Sequence, residues 1–244
     1  MARRATVIEQ VRRETTGPLL VLDGGSTLLG MSLANNTAGR VIVQAMNAMG
    51  YDAMAIGTMD LNLGIDNLLQ RAAEARFAIL SCNIVDNQGK PIFAPYMVVE
   101  REGVRFGLIG LTEPEALTYV EPKESATVLD PLAALEAVLP EVRAKSDVVI
   151  LLSHLGLDQD ESLAKQVSGI AAIVGGRSRL LTVPPLSAEN TVIFQAGYDG
   201  EWLGRLNLEL DGQGQVSAFS GEILSLGPDV EDNAAMVELV ASFY

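Results

Sequence analysis

Four short segments combine glycine with side chains able to donate, accept or carry charge: Asp23-Gly24-Gly25-Ser26-Thr27, Gly57-Thr58-Met59-Asp60, Ser153-His154-Leu155-Gly156 and Gly175-Gly176-Arg177-Ser178-Arg179. Glycine at such turns lets a backbone approach a ligand closely. His154 is the only histidine of the chain, so imidazole chemistry, as metal ligand or general base, has a single candidate. One imidazole without convergent partners is not a metal site, and the plainer expectation is a hydrogen-bonded imidazole at a strand end. Asp23 and Asp60 could join His154 around a single metal, although turn and cap chemistry accounts for both. Arg177 and Arg179 place two permanently charged guanidinium groups close together, a pair able to bind phosphate or carboxylate. Their plainer reading is solvated loop arginines, or arginines neutralising nearby carboxylates. Ser26 and Thr27 could add hydroxyl donors to the same pocket.

The elements that must position these turns are read from hydrophobic period. Short aliphatic runs at 19–23, 53–56, 77–81, 147–153, 171–174 and 191–195 predict strands, and helix periodicity covers 40–49, 65–76, 131–145 and 160–167. Alternation of this kind is the mark of strands joined by helical crossovers. Two segments break it and predict hairpins: 92–111, turning at Glu102-Gly103, and 202–226, turning through Asp211-Gly212-Gln213-Gly214. A last helix is expected over 231–243. In such α/β folds ligands bind beyond the carboxyl ends of the strands, where the four glycine turns fall.

Composition limits the function. Apolar residues make up 48% of the 244 and charged ones 20%, with few aromatics, the mix expected for buried strands covered by helices. The net charge of −14 argues against nucleic acid and anionic membrane as partners, because both need a clustered cationic footprint. The single cysteine, Cys82, allows no intramolecular disulfide and no cysteine metal cluster; it sits in an apolar pattern and reads as core. Without an apolar run of membrane-spanning length or a signal-peptide core, the sequence as written predicts a cytoplasmic chain.

In order and spacing the four turns resemble the 5′-nucleotidase and UDP-sugar hydrolase branch of the calcineurin-like metallophosphoesterases. Segment 47–57, Asn-Ala-Met-Gly-Tyr-Asp-Ala-Met-Ala-Ile-Gly, is similar to the approach to that family's Asn-His-Glu motif, and 78–84 to the strand that follows it. Val149 through Gly156 is similar to its Ser-His-Leu-Gly strand, and Gln195-Ala196-Gly197 with Leu203-Gly204-Arg205-Leu206 to its final core strands. The resemblance covers essentially the whole chain. It implies a four-layer α/β/β/α sandwich of two mixed sheets over residues 1–230, with 231–244 a helix that would lead to a C-terminal domain. It also implies two divalent metals that polarise a phosphoryl group and generate a hydroxide, and a family often found in periplasmic or extracellular settings.

Position by position, this chain departs from that pattern. The opening Asp-X-His strand has no counterpart, since residues 2–6 already read as helix, so the first strand is expected to be missing. Ser26 stands where the family has its metal-bridging aspartate. Thr58 and Met59 stand at its Asn-His pair, metal ligand and proton donor, and methionine cannot donate a proton. Arg177 and Arg179 replace the two histidines of its Gly-His-Ser-His motif, and only His154 stands where a ligand is expected. The expectation is a degenerate, non-enzymatic binding or interaction module with no cofactor, taking a small anionic or phosphorylated ligand around these six positions. The alternative is a metal-dependent phosphoesterase with a reduced or partner-completed metal site. A missing strand would expose a sheet edge and favour a homo-oligomer.

Overall fold

The structure, a computed structural model, describes residues 1–118, 120, 126–212 and 214–244. In chain order the elements are α1 (Ala2–Glu14), β1 (Leu22–Asp23), α2 (Ser32–Asn36), α3 (Arg40–Met49), β2 (Ala53–Ala55), a 3₁₀ turn (Thr58–Leu61), α4 (Gly64–Glu74), β3 (Ala78–Leu80), β4 (Ile84–Asp86), β5 (Tyr96–Arg101), β6 (Val104–Leu111) and β7 (Ala126–Val128). There follow α5 (Pro131–Lys145), β8 (Val148–Ser153), α6 (Leu157–Gln166), β9 (Ala172–Gly175), β10 (Leu186–Ala188), β11 (Thr191–Phe194), β12 (Trp202–Leu210), β13 (Val216–Ser225) and α7 (Ala234–Ala241).

Alternation along the strands sets the layers, because successive side chains leave opposite faces of a sheet. Ala53 and Ala55 of β2 and Leu80 of β3 pack on Leu108, Val148, Ile150 and Leu152 of the second sheet. Met54, Ile56 and Ile79 point the other way, into a cluster with Val43, Met46, Ile65 and Leu68 from α3 and α4. On the far side of the second sheet, Ile109, Leu111, Val149 and Leu151 meet Leu135 and Val142 of α5 and Leu163 of α6. The result is α/β/β/α, each fully buried Leu, Ile or Met contributing about 1.5–3 kcal/mol. Gly110 marks the closest approach of the sheets, since a Cβ there would collide with the Leu80 backbone.

The sheets are finer than two mixed ones. One has three parallel strands in the order β1-β2-β3, and the other has six in the order β10-β11-β9-β8-β6-β5, with antiparallel partners β10 and β5 at its edges. The β12–β13 ribbon is a ladder of its own, as is the β4–β7 pair. That ribbon lies against β11, where Gly204 and Gly221 leave room for the Phe194 ring. Gln213 of its expected turn lies outside the described residues. β1 is the outer strand of its sheet and is shorter than the 19–23 run suggests, because Val21 N–H is taken by the Asp52 carboxylate at 2.7 Å. α7 lies against α1 and α3 with Met236 buried. Among the described residues no helix is long and apolar enough to cross a membrane.

Candidate functional site

The carboxyl ends of β1, β2, β6, β8 and β9 meet at one pole. Parallel pairing of β6 with β8 sets Leu111 opposite Ser153, so the residues that follow each strand become neighbours. His154 N–H donates to Leu111 C=O at 2.9 Å, and its ring Nδ1 lies 2.8 Å from Oε2 of Glu113. Glu113 Oε1 accepts from Thr58 N–H at 3.0 Å and also from the Thr58 hydroxyl. Both partners are buried, Glu113 being 1% and His154 5% exposed. Burial alone would push the Glu113 carboxyl up, but the His154 hydrogen bond and charge and the Thr58 bond outweigh it and hold it below the usual carboxylate range. An ionised Glu113 accepts only, so Nδ1 carries the proton and donates to it.

Asp60 organises the β1 turn. Its carboxylate accepts from the backbone N–H groups of Ser26, Thr27, Leu28 and Gly57 at 2.7–3.0 Å, which ties the turn after β1 to the turn after β2. Burial pushes this carboxyl up against the pull of those N–H groups. Asp23 accepts from Gly25 N–H and the Thr27 hydroxyl, the turn chemistry expected of it. Ser26 adopts φ 58, and its Oγ accepts from Met59 N–H at 3.2 Å. The Met59 side chain itself lies over Gly30.

Arg177 and Arg179 engage different partners. Arg177 donates to Leu155 C=O at 3.2 Å and pairs with Glu115 at 3.5 Å, whereas Arg179 lies 5.6 Å from the centre of the half-exposed Tyr198 ring. Between them Ser178 Oγ accepts from Leu157 N–H at 2.7 Å, which starts α6 three residues ahead of the expected 160–167. Beneath this rim Asp160 accepts from Ser153 Oγ at 2.5 Å and from the Gln195 amide at 3.3 Å, and burial pushes its carboxyl up to about 7. Cys82 is buried and its thiol is pushed up to about 12 by that burial, as a core cysteine requires.

Of the six sequence-derived positions, then, Ser26, Thr58 and His154 converge around Gly57, Met59 reaches them through its backbone, and Arg177 and Arg179 form the rim. Glu113 was not among them. Its signal was an acidic residue two places beyond the end of β6, obscured because that strand reads as the second arm of a hairpin.

No protein-family model matches the chain. It is 28% identical over 261 residues to the 5′-nucleotidase of Rattus norvegicus, covering 97% of this chain and 45% of that one. A crystal structure of the 5′-nucleotidase precursor from Thermus thermophilus superposes with a TM-score of 0.91 and 29% identity, over 99% of this chain and 52% of that one. The calcineurin-like phosphoesterase YfkN from Bacillus subtilis shares the fold, with a TM-score of 0.87 at 23% identity over 100% of this chain and 87% of that one. The chain thus spans about half the length of the 5′-nucleotidases it matches.

These matches correct the expectation that no cofactor bears on this chain, because the family to which they point uses divalent metals. The side chains at this pole fit such a centre poorly. Two hydroxyls and two guanidinium groups stand where the resemblance expects most of the ligands, and guanidinium repels a cation. Among the described residues no group of three His, Cys, Asp or Glu is placed to hold a metal ion. Along nearly all of its length the chain is similar in sequence to 5′-nucleotidases, and it shares the fold of the 5′-nucleotidase and calcineurin-like phosphoesterase structures.

Proposed function

We propose that this phosphoesterase-type domain is a binding module that takes a small anionic or phosphorylated ligand at the strand-end pole and does not hydrolyse it. The observation that carries this reading is the pair of guanidinium groups, Arg177 and Arg179, at the rim of a pole where, among the described residues, no three His, Cys, Asp or Glu are placed to hold a metal ion. Met59 supplies no acid at this pole. Anion binding is supported by Arg177, whose pairing with Glu115 is a surface contact, 42% and 61% exposed on its two sides. Such pairs are weak, so a phosphate oxygen competes for the guanidinium readily. Arg179, stacked rather than salt-bridged, keeps its charge available in the same way.

The test is calorimetry with inorganic phosphate and a nucleoside monophosphate, beside a phosphomonoester assay in the presence of manganese and of zinc. The expected result is saturable anion binding, weakened on substituting Arg177→Ala and Arg179→Ala together, with no turnover above the protein-free rate. Stoichiometric metal uptake with turnover lost in His154→Ala would replace this reading with a metal-dependent hydrolase.

A further inference from the structure

We propose that Asp160 is a proton-operated latch on the arginine rim: its neutral carboxyl holds shut the turn that seats Arg177, and loss of its proton lets that turn open. The consequence for ligand rests on the anion-binding reading, to which this adds a regulation. The turn runs from Ser153, which ends β8, to Leu157, which starts α6. Ser153 Oγ accepts from Leu155 N–H at 3.2 Å and donates to Asp160 Oδ1, so the Asp160 side chain closes the turn from the first turn of the helix. Asp160 N–H donates to Gly156 C=O at 3.0 Å across the same loop. The rim rests on this turn at two points, since Arg177 donates to Leu155 C=O and Ser178 Oγ accepts from Leu157 N–H.

What faces Asp160 decides its response to a proton. From β8 come the Ser153 hydroxyl and the His154 ring, the latter the one titratable neighbour acting on it among the described residues. From β11 comes the Gln195 amide at 3.3 Å. β9 passes it at Gly175, where a Cβ would stand 2.6 Å from Oδ2, and β10, also packed on α6, carries no titratable side chain. On α6 itself Asp158 is exposed and Glu161 pairs with Lys165. Among the described residues no backbone N–H, lysine or arginine reaches the carboxyl. A neutral acid suits that setting, and burial pushes the group up to about 7. Once ionised it gains by meeting water, and the half-exposed backbone packed on its Oδ2, that of Gly175, leads directly into the Arg177–Arg179 loop.

The sign follows from the two values. With about 7 in the closed turn and roughly 3.9 for a solvated aspartate, opening is favoured up to about tenfold per unit as pH rises from about 4 to 7 and levels off above. The latch is shut in acid and loosened at neutral pH.

The experiment follows amide hydrogen exchange in the full chain by NMR from about pH 5 to 8 and measures sulfate affinity over the same range, sulfate keeping its charge throughout. Parent and Asp160→Asn are compared at each pH, so the intrinsic pH dependence of exchange cancels. Relative to the variant, the Leu155 and Leu157 amides of the parent are expected to lose up to about tenfold protection per unit toward pH 7 and no more above it. The ratio of the parent's sulfate affinity to the variant's is expected to fall over the same window. Ser153→Ala, which cuts the link without touching the carboxyl, is expected to lower protection of Leu157 at every pH and serves where Asp160→Asn fails to fold. Protection that runs parallel in parent and Asp160→Asn, or is unchanged in Ser153→Ala, would overturn the latch. Opening that follows pH as expected in a chain that binds no sulfate would overturn the anion-binding reading and leave the latch standing.

Discussion

Asp60 and Asp160 are both fully buried near the strand-end pole, yet the two regions hold their carboxylates in opposite ways. Asp60, on the three-stranded side, receives four backbone N–H groups, so nearly every lone pair that matters is met. Asp160, on the six-stranded side, receives one hydroxyl and one long amide contact, and beside it Gln195 Oε1 is buried with no partner among the described residues. Burial pushes both carboxyls up; at Asp60 four N–H groups pull against it, and at Asp160 one hydroxyl and one amide do. One aspartate is therefore a clamp between two turns. The other is a carboxyl that titrates near neutrality, at about 7.

The comparison is most sharply broken by Asp60→Ala. It takes the acceptor from four N–H groups, those of Leu28 and Gly57 buried, each buried one costing about 1–3 kcal/mol, and the expected outcome is a chain that melts well below the parent. A small shift in the urea midpoint would show that the β1 turn does not depend on this clamp. Next comes Glu113→Ala, which leaves His154 and Thr58 without their shared partner. Breaking a buried pair from one side costs about 3–5 kcal/mol, and Glu113→Gln should recover part of that by keeping an acceptor for Thr58.

Asp160→Asn has an effect of the opposite sign. A folded-state value of about 7 against roughly 3.9 in the unfolded chain means that the folded form holds the proton more tightly. Stability from this group is complete below the unfolded value and is lost as pH rises from about 4 to 7. An asparagine never ionises, and with a turn of the Gln195 amide its own NH₂ can donate to the orphaned Oε1. The variant is expected to match the parent in acid and to exceed it at pH 8 by about 4 kcal/mol, the gap between the two values at about 1.4 kcal/mol per pH unit. Equal pH slopes between 4 and 7 in urea melts would mean that Asp160 does not carry the titration.

Much of the fold was legible because its signals are local. The limits of α3 and α5 coincide with the helix periodicity at 40–49 and 131–145: Gly50 in a left-handed conformation ends the first, and the Asp130 side chain, bonded to Ala133 N–H, starts the second with Pro131 behind it. The Glu102-Gly103 hairpin was equally readable. The β4–β7 pair was not, since two three-residue strands far apart in sequence carry no period of their own. Of the candidate site, turn positions and resemblance single out Ser26, Thr58, Met59, His154, Arg177 and Arg179 but not Glu113, and the two arginines share a loop without sharing a partner.

The sequence by itself determined which residues alternate into strands, where glycine ends them, and that the single histidine lies at one of those ends, because side-chain period and backbone freedom are properties of a few consecutive residues. Only the tertiary structure decided that Glu113 meets His154, that Asp60 closes over the turn of Ser26, and that Ser26 and His154 face each other across Gly57. Those contacts depend on the order of strands in the sheets, on parallel register, and on how one sheet packs on the other. Shifting β6 by one residue against β8 would turn its side chains to the opposite face, and every local pattern in the sequence would read the same.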